Sequence, residues 1–155
     1  MTGSATGFLP ARVFRAFRIH GPQPVRACIE SIAAGDLSAG SVLVRTHYAG
    51  LNFKDALATT GHGGVIRHFP RVGGSDLAGH VVHSGDPRWR PGDAVVALAQ
   101  GLGVTHDGGF SEYVRLRPEQ LMALPAGIGL LEAAALGVAG VTAALAVRLL
   151  QDNGL

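Results

Sequence analysis

Short stretches in which apolar and polar residues alternate occupy most of the chain up to Arg115. A period of two is typical of β-strands that bury one face. Tight-turn sequences such as Pro91-Gly92 separate the stretches, because proline fixes φ and glycine accepts a positive φ. This pattern predicts a mainly β fold with short helices, and a small barrel rather than a parallel sheet. The stretches are 13–19, 25–32, 41–49, 76–83, 94–98 and 110–115.

Residues 52–58 break the alternation directly after the strongest strand pattern. Asn52 can cap a helix, and Asp55 would then lie in its first turn, where a negative charge is favourable. We therefore predict a short helix at this point.

The end of the chain is rich in Ala and Leu, which favour helices. Residues 130–136 and 141–150 are two predicted helices, separated by Gly137 and Gly140. The second is apolar on nearly every side, so we expect it to be buried. The uncharged run 133–147 is shorter than the about 20 apolar residues of a membrane span. Since the remaining sequence offers no sufficiently large partner, we expect downstream chain or a second subunit to cover this helix.

Composition narrows the class of protein. Apolar residues make up 47% of the chain and charged residues 15%, which excludes a disordered tail. The formal net charge is +2 and Lys54 is the one lysine, so we expect neither a nucleic-acid partner nor a polybasic membrane contact. We divide the chain into a loose leader at 1–11, a mainly β domain at 12–128 and a helical segment at 129–155.

Cys28 is the one cysteine, which excludes a disulfide framework and a four-cysteine zinc lobe. Its place in the alternating stretch 25–32 predicts a buried strand residue rather than a reactive thiol. Residues 1–9 lack the basic start and the long apolar run of a secretory signal. We therefore expect a reducing, cytoplasmic setting.

Five pieces of the sequence, in this order and at matching spacing, resemble the N-terminal half of the medium-chain dehydrogenase/reductase superfamily. The resemblance runs from Val13 to Leu155 and favours the quinone-oxidoreductase-like branch of the acryloyl-CoA reductase type. The pieces are 49–55, 58–70, 74–79, 86–93 and 139–143.

The resemblance implies a GroES-like, partly open barrel, then a linker helix at 129–155 that leads into a Rossmann domain. In that family the Rossmann domain binds NADPH, and the active site is the cleft between the two domains. The sequence contains no Gly-x-Gly-x-x-Gly fingerprint for the pyrophosphate, so the expected cofactor, NADPH, rests on the resemblance alone. We expect the full-length protein to be a homodimer, or this chain to pair with a subunit that carries the Rossmann half.

The resemblance also bears on metal binding. Zinc-dependent members carry Gly-His-Glu where this chain has Gly74-Ser75-Asp76, and Cys28 lies too early to replace their upstream cysteine. His80 and His83 are three residues apart on a strand and face opposite sides. We therefore expect no metal site.

Five residues are implied in the active site by the resemblance. Asn52 and Asp55 are the catalytic candidates, although Asn52 could equally cap the helix and Asp55 could serve its first turn. Phe53, Lys54 and Thr142 are the cofactor candidates. Phe53 stands where the family usually has tyrosine, so it keeps a stacking surface without a proton-donating hydroxyl. Thr142 could instead donate to a carbonyl of its own helix.

Two further residues are candidate contacts to a small-molecule substrate. Arg67 follows a glycine-rich stretch and could meet an anionic CoA group, or it could be a solvated loop residue. His106 lies where the family places a loop near the cleft.

The function implied is the N-terminal part of a zinc-independent, NADPH-dependent oxidoreductase. It would transfer hydride to the β-carbon of an activated alkene, which is an enoyl thioester such as acryloyl-CoA, a quinone or an enone. The alternative is a truncated or split-gene module, inactive alone, that pairs with another subunit through its apolar terminal helix.

Overall fold

The computed structural model describes residues 13–154, so the predicted leader at 1–11 lies outside the described residues. Each predicted stretch of alternation overlaps a strand, whereas two strands of two residues each, β4 and β8, were not predicted. The strands are β1 (Phe14–His20), β2 (Arg26–Ile32), β3 (Val42–Tyr48), β4 (Arg71–Val72), β5 (Asp76–Ser84), β6 (Ala94–Leu98), β7 (Tyr113–Leu116) and β8 (Met122–Ala123), and the α-helices are α1 (Phe53–Thr60) and α2 (Leu130–Asp152).

The strands form two open antiparallel sheets rather than a closed barrel. One sheet has the order β2-β1-β4, and the other has the order β7-β3-β5-β6-β8. This mainly β architecture confirms the predicted fold class, although α2, with 23 residues, is longer than the short helices expected. Alternate apolar residues of β3, β5, β6 and β7 build the largest core cluster, together with Leu102 and Leu121.

β2 is the edge strand of the smaller sheet, and this position corrects the prediction for Cys28. The cysteine is exposed instead of buried. β2 pairs with β1 along its whole length, from Phe14–Ile32 to His20–Arg26. No strand pairs with its other side among residues 13–154, and most of its residues are exposed. Alternation therefore predicted the strand correctly but not which residues it buries.

A buried carboxylate that the sequence did not indicate joins the loop after β2 to β4. Asp107 is 4% exposed and accepts hydrogen bonds from Ser38 N (2.6 Å), Val72 N (2.9 Å) and the Arg71 guanidinium (3.0 Å). The Ser38 hydroxyl also donates, at 2.9 Å, so charge pairing and four donors together satisfy a carboxylate that would otherwise be costly to bury.

α2 is one continuous element with a break in helical geometry at Gly137, whose φ is +45°. The break at Gly137 divides the helix into two segments, as predicted. Gly140 does not separate them but lies inside the second segment. The first segment packs Ala133 and Ala134 against Ala78 and Val96. Residues 141–150 of the second segment are exposed in the described chain, in line with the expectation that this chain itself offers no partner large enough to cover them, and their burial by further chain or a second subunit stays a prediction.

By length and composition, α2 could cross a membrane. This is weak evidence for a membrane span, because the core helix of a soluble protein passes the same test. Moreover, Ala133, Ala134 and Gly137 are buried within the protein. The predicted division at residue 128 stays a prediction, since the start of α2 belongs to the same packed core.

Candidate functional site

Asn52 ends the loop after β3 and precedes α1, which begins at Phe53. Asn52 is the N-cap residue of α1, and the nitrogen of its side-chain amide donates away from the helix. The Nδ2 group donates to Ser75 Oγ at 2.9 Å and to Asp76 Oδ2 at 3.0 Å. The amide thus ties the start of α1 to the start of β5.

Asp55 completes this connection from the first turn of α1. Its Oδ2 accepts the backbone N–H of Asn52 at 2.9 Å and the hydroxyl of Ser75 at 3.2 Å. The carboxylate is 5% exposed, and Ser75 is fully buried. Both of these hydrogen bonds go to Oδ2. Of the two roles left open for Asp55, the structure therefore shows the helix-terminus role directly.

Asp76 is the centre of the arrangement. It is 1% exposed, and its Oδ1 accepts the N–H of Gly50 at 2.6 Å. Its Oδ2 accepts the N–H of Val138 at 3.1 Å, in addition to the amide of Asn52. A Cβ on Gly137 would lie 2.6 Å from Oδ2, so glycine is needed there for space as well as for φ. One carboxylate therefore joins the loop before α1, β5 and the kink of α2.

Two large apolar side chains beside this network face solvent. Leu51 and Phe53 are each 80% exposed. Leu51, but not Phe53, lines a cleft of about 360 Å³ that also includes Asp55. A second cleft, of about 410 Å³, shares Phe17 and Phe110 with the first and extends past Tyr48. The candidate site is the surface formed by these two clefts and by the exposed side chains of Leu51 and Phe53. The hydrogen-bonded network of Asn52, Asp55, Ser75 and Asp76 is its floor.

The other cofactor and substrate candidates are not part of the network. Lys54 and Arg67 are exposed. Thr142 is also exposed, and its Oγ1 donates to the carbonyl of Val138 at 2.7 Å, which is the helix-internal bond considered as its alternative. The roles of these residues in binding stay predictions.

His106 lies away from both clefts. It is 6% exposed, and its Nε2 lies 2.8 Å from the carbonyl of Arg115, so the neutral ring donates this bond. Burial lowers the pKa of His106, because the charged form loses its hydration. The structure therefore gives His106 a packing role, and its contact with a substrate stays a prediction.

Sequence reasoning identified Asn52 and Asp55 but not Asp76, which joins them to the rest of the fold. Ser75 and Asp76 entered only as replacements for the zinc-binding positions of relatives. The signal that could have found them is the pair of adjacent polar residues at the start of a strand whose next residues, Leu77 and Ala78, are buried.

A family model described as the alcohol dehydrogenase GroES-like domain matches residues 38–126. Among curated proteins, the acrylyl-CoA reductase AcuI of Ruegeria pomeroyi is 41% identical over 130 residues, covering 84% of this chain and 39% of that protein. The chain thus spans about two fifths of the length of this relative.

Solved structures give the same result as the family model and the curated relative. The yhdH oxidoreductase from Salmonella enterica, in complex with NADP, is 41% identical with a TM-score of 0.87, covering 90% of this chain and 44% of that chain. The yhfP protein of Bacillus subtilis, with NAD bound, is 40% identical with a TM-score of 0.89, covering 94% and 44%. The fold and the site network thus lie in a segment shared with nucleotide-bound oxidoreductases.

Proposed function

This chain belongs to the alcohol dehydrogenase GroES-like domain family of the medium-chain dehydrogenase/reductase superfamily, and we propose that it is the substrate-side part of an NADPH-dependent reductase of activated alkenes. The observation that supports this most is the network of Asn52, Asp55, Ser75 and Asp76 beneath an exposed Phe53. The similarity to an acrylyl-CoA reductase and to structures with NADP or NAD bound supports the same class.

The substrate class we propose is an enoyl thioester of the acryloyl-CoA type, with enones and quinones as the related alternatives. When bound, NADPH would supply the hydride that adds to the β-carbon of the alkene, and a proton from water or an acid would add at the α-carbon. The products are the saturated carbonyl compound and NADP⁺.

The residues present fit the nicotinamide end of such a cofactor. Phe53 offers an uncovered ring face, and Leu51 extends the apolar surface beside it. Offset stacking on Phe53 would orient the nicotinamide, and these side chains would keep water from the reacting carbons. Phe53 has no hydroxyl, so it cannot supply the proton.

We assign Asn52 and Ser75 to positioning rather than to chemistry. The Nδ2 group of Asn52 is already committed to Ser75 and Asp76, so it is not free to hold a substrate. The network fixes the first turn of α1, and with it Phe53 and Asp55. Asp55, which lines the cleft, is the residue we propose to touch the substrate.

This chemistry needs no Lewis acid at the site. In zinc-dependent relatives, by the resemblance, a histidine stands where Ser75 stands here. In this chain Asn52, Ser75 and the carboxylates satisfy one another instead. The alternative of an inactive pairing module is not favoured, because the relatives that match are named as reductases and oxidoreductases. We propose that the protein is soluble, and the cytoplasmic setting stays a prediction.

The test uses a protein that contains this chain together with a cofactor domain. NADPH oxidation is followed with acryloyl-CoA, an enone and a quinone. We expect acryloyl-CoA to give the highest kcat/KM, and Phe53→Ala to lower it by about tenfold, since an aromatic stacking contact contributes about 0.5–1.5 kcal/mol. Phe53→Tyr is the matched control and should retain activity. Full activity of Phe53→Ala, or no activity on any alkene, would contradict the proposal.

A further inference from the structure

A group of metal-ligating side chains lies at the turn end of the β1–β2 hairpin, far in sequence from the candidate site. Arg18 pairs with Cys28, and His20 pairs with Arg26. Because alternate residues share a face, this register places His20, Cys28 and Glu30 on one face of the hairpin. Spacing along the chain does not indicate the group, since the pairing of the two strands creates it.

The ligand atoms of these residues are close together. Nε2 of His20 lies 3.1 Å from Oε2 of Glu30, and Sγ of Cys28 lies 3.9 Å from the same oxygen. All three atoms lie within 4.8 Å of one another. Tetrahedral zinc with its usual bond lengths separates nitrogen and oxygen ligands by about 3.3 Å, and sulfur and oxygen ligands by about 3.5 Å. The nitrogen–oxygen and sulfur–oxygen separations are thus within a few tenths of an ångström of a zinc site, whereas the nitrogen–sulfur separation, bounded by 4.8 Å, would have to close by up to about 1.3 Å.

We propose that His20, Cys28 and Glu30 form a zinc-binding site on the outer face of this hairpin. Imidazole and thiolate together select zinc over magnesium or calcium, which prefer oxygen ligands. The thiol releases its proton on binding, so thiolate and carboxylate neutralise the two charges of the ion.

Arg18 supports the carboxylate in this site. Its guanidinium donates to Oε1 of Glu30 at 3.1 Å, which fixes the group and leaves Oε2 toward the other two ligands. The side chain of His20 is 44% exposed and that of Glu30 is 29% exposed. Cys28 is exposed as well, so water can take the fourth position on the ion. Three protein ligands and one water is the coordination of catalytic rather than structural zinc sites.

This proposal departs from the expectation of no metal site, which rested on the zinc positions of relatives and on the pair His80 and His83. The hairpin site is separate, because it uses other residues on the other sheet. Its test therefore does not depend on reductase activity.

Cobalt(II) is the probe, because it replaces zinc in such sites and absorbs visible light. The tag-free, reduced 155-residue chain is titrated with CoCl₂ at pH 7.5. We expect one equivalent to bind, with a thiolate-to-cobalt charge-transfer band, and zinc to displace it. Cys28→Ser should abolish that band, and His20→Gln and Glu30→Gln should each weaken binding by at least about tenfold. His47→Gln is the control, since His47 lies elsewhere, with its ring edge-to-face against that of His80. This variant should bind cobalt as the parent does.

Thermal unfolding gives a second readout. Zinc should raise the Tm of the parent chain and of His47→Gln, because a ligand that binds only the folded state stabilises it, and it should leave the Tm of Cys28→Ser unchanged. Absence of a charge-transfer band in the parent would overturn the proposal. So would a zinc-dependent Tm that survives Cys28→Ser, or loss of cobalt binding on His47→Gln.

Discussion

Asp76 and Val138 are joined by a hydrogen bond of 3.1 Å from the backbone N–H of Val138 to a buried carboxylate oxygen. Val138 follows directly after the break in α2 at Gly137. This N–H is the first of the second helical segment, and such groups lack partners within their own helix. A carboxylate also complements the partial positive charge at that point. β5 therefore holds the kink through a single side chain.

Replacement of Asp76 by Asn should destabilise the fold by about 2–3 kcal/mol, because an amide nitrogen would face N–H groups that the carboxylate now satisfies. Urea unfolding followed by circular dichroism measures this change. Asp152→Asn, at the exposed end of α2, is the matched control and should change stability by less than about 0.5 kcal/mol. Equal stability of the two variants would show that Asp76 is not the residue that holds the kink.

Alanine substitutions at Gly137 and Gly140 test, within one helix, whether the kink requires glycine. Gly137→Ala should destabilise by at least about 1–2 kcal/mol, because a Cβ there meets Asp76 and the positive φ disfavours other residues. At Gly140 a Cβ would meet only the side chain of Leu136, which can shift. There the better helix propensity of alanine should offset the contact to within about 1 kcal/mol. The reverse order in urea unfolding would contradict this account.

Stability should fall as the pH is lowered through the titration of His106. Burial lowers its pKa below the ordinary 6.5, so the unfolded chain binds the proton first. The stability contribution is fully present above pH 6.5 and is lost as the pH falls through the lower folded pKa. We expect His106→Gln, which can still donate to the Arg115 carbonyl, to show a shallower decline between pH 7 and pH 5. The exposed His62→Gln should retain the parent slope in the same urea series.

The exposed second segment of α2 should make the 155-residue chain self-associate. Leu145, Leu149 and Leu150 are each at least 50% exposed, and contiguous apolar surface of this kind favours association. Light scattering over a concentration series should give a mass above that of a monomer. The double variant Leu145→Glu and Leu149→Glu should shift the distribution toward monomer. A parent chain that stays monomeric at all concentrations would contradict the prediction.

The 155-residue chain alone should not bind NADPH in the micromolar range. The described site offers an apolar face for the nicotinamide, and the sequence has no Gly-x-Gly-x-x-Gly loop for the phosphates, which carry most of the charge. Calorimetric titration is the measurement. Tight, saturable binding would show that other residues of this chain hold the phosphates.

The positions of most strands along the chain could be predicted from the sequence, because alternation reports a local property, the burial of one face. The location of α1 followed from Asn52 and Asp55 for the same reason. The burial of Cys28 could not be predicted, because it depends on which strand lies at the sheet edge. The roles of Asp76 and Asp107 depend on partners 24 to 69 residues away, which no local pattern reveals.

The kink at Gly137 also divides α2 into a packed first segment and an exposed second segment. Its first turns are fixed in the core by Ala133 and Ala134, while the segment 138–152 extends as a rod of about 22 Å at 1.5 Å per residue. A rotation of about 10° at the kink would move the far end of this rod by about 4 Å. A displacement of the Asp76 carboxylate that rotated the second segment would therefore move the far end of the helix more than its start. Any surface that packs on that end would be sensitive to substitutions in the strand that carries Asp76.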